Sequence, residues 1–119
     1  HAAQCLLDYK RTYKFLKGFV NAIKDKQKEY PNKTIQVFYA GCGPYAPFVT
    51  LVAPLFTPEE VQFSLLEINK DSLEKAEILI ENLKLTAYIK KCYLSMVIFI
   101  SKSTISASQG SSYIYLIFG

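Results

Sequence analysis

The chain has 119 residues, half of them apolar, and a formal net charge of +4, which suits one globular domain and excludes a disordered chain. All ten acids lie between Asp8 and Glu81, so Lys84, Lys90, Lys91 and Lys102 carry the whole basic excess. That excess is too diffuse for the clustered cationic face that nucleic acid requires.

The cysteines Cys5, Cys42 and Cys92 are odd in number and widely spaced, which argues against both a disulfide framework and a metal site and fits a reducing cytoplasm. The longest apolar stretches, 93–100 and 113–118, are too short to span a bilayer. The chain begins with His1 and without an apolar signal segment, and is read as a soluble piece of a longer protein.

In chain order, Leu6, Tyr9, Tyr13, Leu16, Val20 and Ile23 recur at alternating steps of three and four, which predicts one buried face of a long helix. Pro31 and Asn32 end that helix or the linker after it. Lys10, Lys14, Lys17, Lys24 and Lys28 fall on other faces and read as a solvated surface rather than a polyanion site.

Residues 35–40 are β-rich and almost continuously apolar, which predicts a first strand buried on both faces of a parallel sheet. Gly41-Cys42-Gly43-Pro44 then turns the chain, and 46–55 is expected to form a compact helix with Pro47 in its first turn and Pro54 closing it. Thr57-Pro58-Glu59-Glu60 matches a capping box but precedes a strand, so the match reads as misleading. A second strand is predicted over 61–68, followed by a helix capped by Asn69 or Asp71 with Leu73, Ala76, Ile80 and Leu83 buried. A third strand should begin within 87–91. Strands alternating with helices predict an α/β fold with right-handed parallel crossovers.

Seven of the nine serines fall between Ser95 and Ser112, and 101–112 shows no regular period. Residues 113–118 form an apolar β-like run. Either two buried strands joined by a serine loop end the chain, or this stretch does not continue the domain; the loss of acids and of pattern favours the second. The resulting division is a helical segment over 1–34, a core over 35–92 and an irregular or divergent tail over 93–119.

The glycine turn carries the chemistry. Gly41 and Gly43 allow close backbone approach to a ligand, and Glu67, 24 positions beyond Gly43, sits near the spacing of about 20 at which a carboxylate meets ribose hydroxyls. The bland alternative is a simple turn with a polar strand end. Cys42 has no histidine but His1 to activate it, so it reads as a small turn residue rather than a nucleophile, and histidine acid–base chemistry is unsupported.

Ala40-Gly41-Cys42-Gly43-Pro44 together with Leu66-Glu67-Ile68-Asn69-Lys70-Asp71-Ser72-Leu73 resembles motif I and the acidic motif after the second strand of class I S-adenosylmethionine-dependent methyltransferases. The resemblance covers roughly residues 2–85 and implies a partial Rossmann-like fold that binds S-adenosyl-L-methionine. It implies that Gly41, Cys42 and Gly43, with Tyr39, Ala40 and Pro44 beside them, line the cofactor loop. It further implies that Glu67 holds the ribose and Ile68 flanks the adenine. Asp8-Tyr9-Lys10-Arg11-Thr12-Tyr13-Lys14-Phe15 is similar to a segment of protein arginine methyltransferases whose arginine pairs with the cofactor's carboxylate. Arg11, the only arginine in the chain, takes that role by resemblance, as a planar bidentate donor would.

The chain also departs from the family. Tyr39 stands where the family often has an acid, Pro44 and Tyr45 stand near the third glycine, and no acid after the third strand and no paired glutamates are found. Catalytic residues are therefore not identified, and no metal is implied. The expected activity is methyl transfer by direct displacement, in which alignment of donor and acceptor dominates. The acceptor is open; an arginine in a protein is suggested by the Arg11 segment alone. The alternatives are a nicotinamide-dependent oxidoreductase fragment and a truncated, non-catalytic module that binds cofactor weakly or folds only with a partner; for the chain itself, a homo-oligomer or a partner covering an open sheet edge is the expected association.

Overall fold

In a computed structural model describing residues 2–94 and 104–118, the chain opens with α1 (Ala2–Glu29), a helix of 28 residues. The stripe it buries is set by aromatic bulk. Phe19 and Ile23 are fully buried, Phe15, Leu16, Val20 and Ala22 are half-buried against the core, and Tyr13 is 56% exposed. Phe19 meets Phe48 and Phe63 edge to face at centroid distances of 5.6 and 6.1 Å. The predicted stripe is thus corrected by about one row: two rows share Ile23, and the one carrying phenylalanines buries more apolar surface. The side chains of Cys5, Leu6, Asp8 and Tyr9 lie outside the described residues.

The next elements are β1 (Ile35–Ala40), α2 (Pro47–Thr50), β2 (Val61–Glu67), α3 (Lys70–Asn82), β3 (Ile89–Leu94), β4 (Thr104–Ala107) and β5 (Tyr113–Ile117). They build an α/β fold around a five-stranded sheet in the order β3-β2-β1-β5-β4. Every pairing is parallel except that of β4 with β5. This mostly parallel sheet is compatible with a Rossmann-like fold.

Helix 46–55 is corrected to a single α-turn followed by a 3₁₀ turn over Ala53–Leu55. Pro54 explains the break, since it lacks an N–H and its ring collides with the carbonyl four residues earlier. Asn69 is the cap of α3, its Oδ1 accepting from the Ser72 N–H at 3.0 Å. Leu73, Ala76 and Ile80 are buried, but Leu83 is 49% exposed just past the last helical turn. The Thr57–Glu60 capping box does form, on a turn rather than a helix: Thr57 N–H donates to Glu60 Oε1 at 2.8 Å and Glu60 N–H to Thr57 Oγ1 at 3.3 Å. The Thr57 N–H holds the Glu60 carboxyl below its ordinary range.

Register places Val37, Tyr39, Phe63, Leu65, Ile114 and Leu116 on one face of the sheet, all buried, where α1 and α3 cover them. The opposite face carries Gln36, Phe38, Tyr113 and Tyr115, and Phe38 stacks on both tyrosines at 5.9 and 5.7 Å. None of these side chains joins the buried cluster. β1 is accordingly buried on one face and half-buried on the other, not on both as its composition predicted.

Within the tail, 104–118 is not irregular. β5 is an interior strand between β1 and β4, with Ile114 and Leu116 fully buried, and β4 forms its antiparallel neighbour. Lys26 of α1 is 4% exposed, and its ammonium donates to the carbonyls of Ser108 and, at 2.6 Å, Ser111 in the β4–β5 turn. The tail is thereby tied to both the sheet and the first helix. Residues 95–103 lie outside the described set. Among the described residues, no helix is long and apolar enough to cross a membrane.

Candidate functional site

β1 is flanked by β2 on one side and β5 on the other, so the chain reverses its direction of strand addition at β1. In open α/β sheets the crevice at the carboxyl ends of such strands is where ligands bind. Ala40, Gly41, Glu67 and Phe118 all lie at these ends.

The two glycines there do different work. Gly41 has φ +74°, its N–H donates to the Leu66 carbonyl at 2.8 Å, and a Cβ built on it would sit 1.9 Å from the Phe118 carbonyl oxygen. Its lack of a side chain admits β5's end, which is fastened there by the Phe118 N–H donating to the Ala40 carbonyl at 2.9 Å. Gly43, with φ +69°, has nothing within 4 Å of the place a Cβ would take. Only Gly43 leaves open space beside the loop, and both need a torsion other residues resist.

Glu67 reaches back from the end of β2 to that loop. Its Oε1 accepts from the Gly43 N–H at 3.0 Å and its Oε2 from the Asn69 N–H at 2.8 Å. The carboxylate, 9% exposed, is bound to the chain on both oxygens, and each oxygen keeps a second lone pair. A ribose hydroxyl would share it with these backbone donors. Ile68, one residue on, is 53% exposed, a half-open apolar surface beside the carboxylate.

Across the loop, Arg11, Tyr39, Gly41, Cys42, Phe48 and Phe118 line a cavity of about 250 Å³, with Thr12, Phe15 and Pro47 completing it. Its walls are aromatic. Phe118 packs on Phe15, Tyr39 and Phe48 at centroid distances of 5.8, 5.7 and 4.9 Å. Arg11 is exposed at the rim, placed there by the α1 turn that also carries Phe15. Tyr39 is 2% exposed, with its hydroxyl 3.5 Å from the Cys42 carbonyl it points to. Burial raises its phenol above the ordinary tyrosine range, so it stays neutral.

Burial, and then the nearby Glu67 charge, push the Cys42 thiol from 9.0 to about 12. A thiol held protonated is a poor nucleophile. Cys92 is pushed to about 11, by burial and then Glu77. Among the described residues, no group of His, Cys, Asp and Glu is placed to hold a metal ion.

The structure thus gathers the sequence-predicted residues into two adjoining places. Arg11, Tyr39, Gly41 and Cys42 share the cavity, while Gly43, Glu67 and Ile68 lie along the loop's other side. Ala40 is buried at the strand end, and Pro44 is half-buried in the turn before α2. Sequence reasoning missed Phe48 and Phe118 as cavity walls. The signal for Phe118 was its place at the end of an apolar run, legible only once that run is a strand beside β1. Comparison with known protein families and with curated proteins finds no match.

Proposed function

We propose that this chain binds S-adenosyl-L-methionine in the crevice at the carboxyl ends of β1 and β2 and serves as the cofactor-binding part of a methyltransferase. The observation that carries the reading is the 3.0 Å contact between the Gly43 N–H and Glu67. It joins a glycine loop and a strand-end carboxylate at the point where the sheet reverses. In this reading Glu67 accepts from ribose hydroxyls with its remaining lone pairs, Ile68 offers apolar surface to the adenine, and Arg11 faces the carboxylate of the methionine end across the aromatic cavity.

The bound cofactor would supply a methyl group already activated on sulfonium. What the chain contributes is position: an aromatic wall that excludes water and a carboxylate that fixes the sugar. No described side chain is assigned to acid–base work, and the methyl acceptor is left open, a protein arginine being the candidate that the Arg11 segment supplies.

Calorimetric titration of the purified chain with S-adenosylhomocysteine and, separately, with NAD tests the reading. Heat with the first and none with the second is expected. Binding of NAD alone would move the chain to the oxidoreductases, and silence with both in a folded sample would end the cofactor reading.

A further inference from the structure

Two helices of this chain carry stripes that answer one another. On α1, Lys10, Tyr13, Lys14 and Lys17 follow at steps of three, one and three, so they share one helix face, and all four are exposed. That face points away from the sheet, because the row of Phe19 and Ile23 is buried on the other side of the helix. On α3, Glu74, Glu77, Ile78 and Glu81 repeat the same spacing and are exposed too, beside the buried row of Leu73, Ala76 and Ile80. Each stripe holds one large apolar side chain among its charges, Tyr13 at 56% exposure and Ile78 at 57%. Lys70 lies 3.8 Å from Glu74 with both side chains in solvent, and such a surface pair gives up its partner at little cost.

Opposite sign and common spacing fix a register. Laid antiparallel, Lys10 meets Glu81, Lys14 meets Glu77, Lys17 meets Glu74, and Tyr13 meets Ile78. Laid parallel, Lys10 meets Glu74 and Lys17 meets Glu81, but Tyr13 falls on Glu77 and Lys14 on Ile78, which sets a charge against an apolar group twice. Within one chain α1 runs from Arg11 at the cavity to Lys26 at the β4–β5 turn, and α3 runs from the end of β2 to the start of β3. Both helices therefore point from the carboxyl ends of the strands toward their amino ends, and the antiparallel match is open only to two copies.

We infer that the α1 stripe of one copy docks antiparallel on the α3 stripe of a second copy, so that the chain associates with itself head to tail. Nothing in this contact depends on the cofactor reading. The surfaces joined are different ones, so each added copy leaves an α1 stripe free at one end and an α3 stripe free at the other, and assemblies grow with concentration. The charged pairs supply steering and register, and the Tyr13–Ile78 contact supplies buried apolar area. A formal net charge of +4 on every copy opposes association, so attraction between copies requires a local match of this kind.

Sedimentation velocity of the whole chain tests the contact. At about 10 mM salt, where the Debye length is about 30 Å, the weight-average sedimentation coefficient should rise with protein concentration, and at about 1 M salt, where that length is about 3 Å, the rise should disappear. Lys10→Glu should weaken each contact about fivefold, the scale of one exposed ion pair turned into a like-charged one. Adding Glu81→Lys to it restores the net charge of the wild type and should bring association back to within about twofold. Adding Glu74→Lys instead restores the same net charge but should weaken association further, because it sets a second like-charged pair at Lys17. All these positions are exposed on helices, and far-UV circular dichroism checks that each variant is folded. A wild type that stays monomeric at low salt overturns the inference. So does rescue by Glu74→Lys in place of Glu81→Lys, the mark of a parallel contact, and so does association that neither salt nor Lys10→Glu alters.

Discussion

The carbonyl of Phe118 lies over the α-carbon of Gly41, so close that a methyl group there would stand 1.9 Å from the oxygen. The glycine loop is therefore packed against the end of β5 on one side and open at Gly43 on the other. A Gly41→Ala chain must move β5 or the loop, in addition to taking up a strained torsion, whereas Gly43→Ala meets only the torsion. The second should cost about 1–2 kcal/mol and the first clearly more, by urea denaturation. Equal losses would show that β5 does not pack on the loop.

Glu67→Ala should lower stability and affinity together. The substitution leaves the Gly43 and Asn69 N–H groups without their carboxylate, now at 3.0 and 2.8 Å, and hydrogen bonds to a charged group are worth about 1.5–3 kcal/mol. A fall in melting temperature with a weakening of S-adenosylhomocysteine binding of that order is expected. A lower melting temperature with unchanged affinity would reduce Glu67 to a loop fastener.

Lys26→Met should destabilise the chain by about 0.5–1.5 kcal/mol per hydrogen bond lost, the net worth of such bonds where the freed acceptors, half-buried here, can still meet water. The Ser108 and Ser111 carbonyls lose their shared ammonium, while the apolar part of the side chain keeps its packing. Chemical denaturation with hydrogen exchange on the β4–β5 turn checks this. Unchanged stability would mean that the turn is held by strand pairing alone.

Above its ordinary value of 9.0, the Cys42 thiol of the unfolded chain ionises, whereas the folded one keeps its proton to about 12. The folded state then binds more protons, so this contribution is intact below 9.0 and is lost as pH rises from there toward 12. Denaturant midpoints measured across that window should fall less steeply for Cys42→Ala than for the wild type. Parallel slopes would show that the thiol is not shielded.

What the sequence disclosed depended on how local the signal was. β1 and β2 follow from neighbouring residues, with observed limits that match within a residue, and the cap of α3 was narrowed to Asn69 or Asp71, of which the structure selects Asn69. The spacing of Gly43 and Glu67 likewise placed both at the same strand ends, because one crossover separates them, but it did not show that the Gly43 N–H bonds the carboxylate directly. β5 hid its alternation: Tyr113, Tyr115 and Ile117 occupy the face that no described helix covers, yet read as apolar like the buried Ile114 and Leu116. Lys26 continues the row of Phe19 and Ile23, but a lysine ordinarily marks a solvated face. Carbonyls arriving from Ser108 and Ser111, with the Glu29 carboxylate 4.0 Å away, make its burial tolerable. Phe118 could not be placed over Gly41 without the register of a strand far along the chain.

That register also orders events in time. β1 pairs with β2 at Ile35–Val61 and with β5 at Gln36–Tyr113, separations of 26 and 77 positions. Contacts of the first kind close a short loop and those of the second a long one, which slows their formation. During synthesis β1 therefore spends most of its history as a bare edge, carrying Val37-Phe38-Tyr39 with its N–H and C=O groups unpaired on the side that β5 will later fill. An edge of that composition invites pairing with another chain, so conditions that delay residues 113–117 should channel the protein into aggregates before they harm its finished fold.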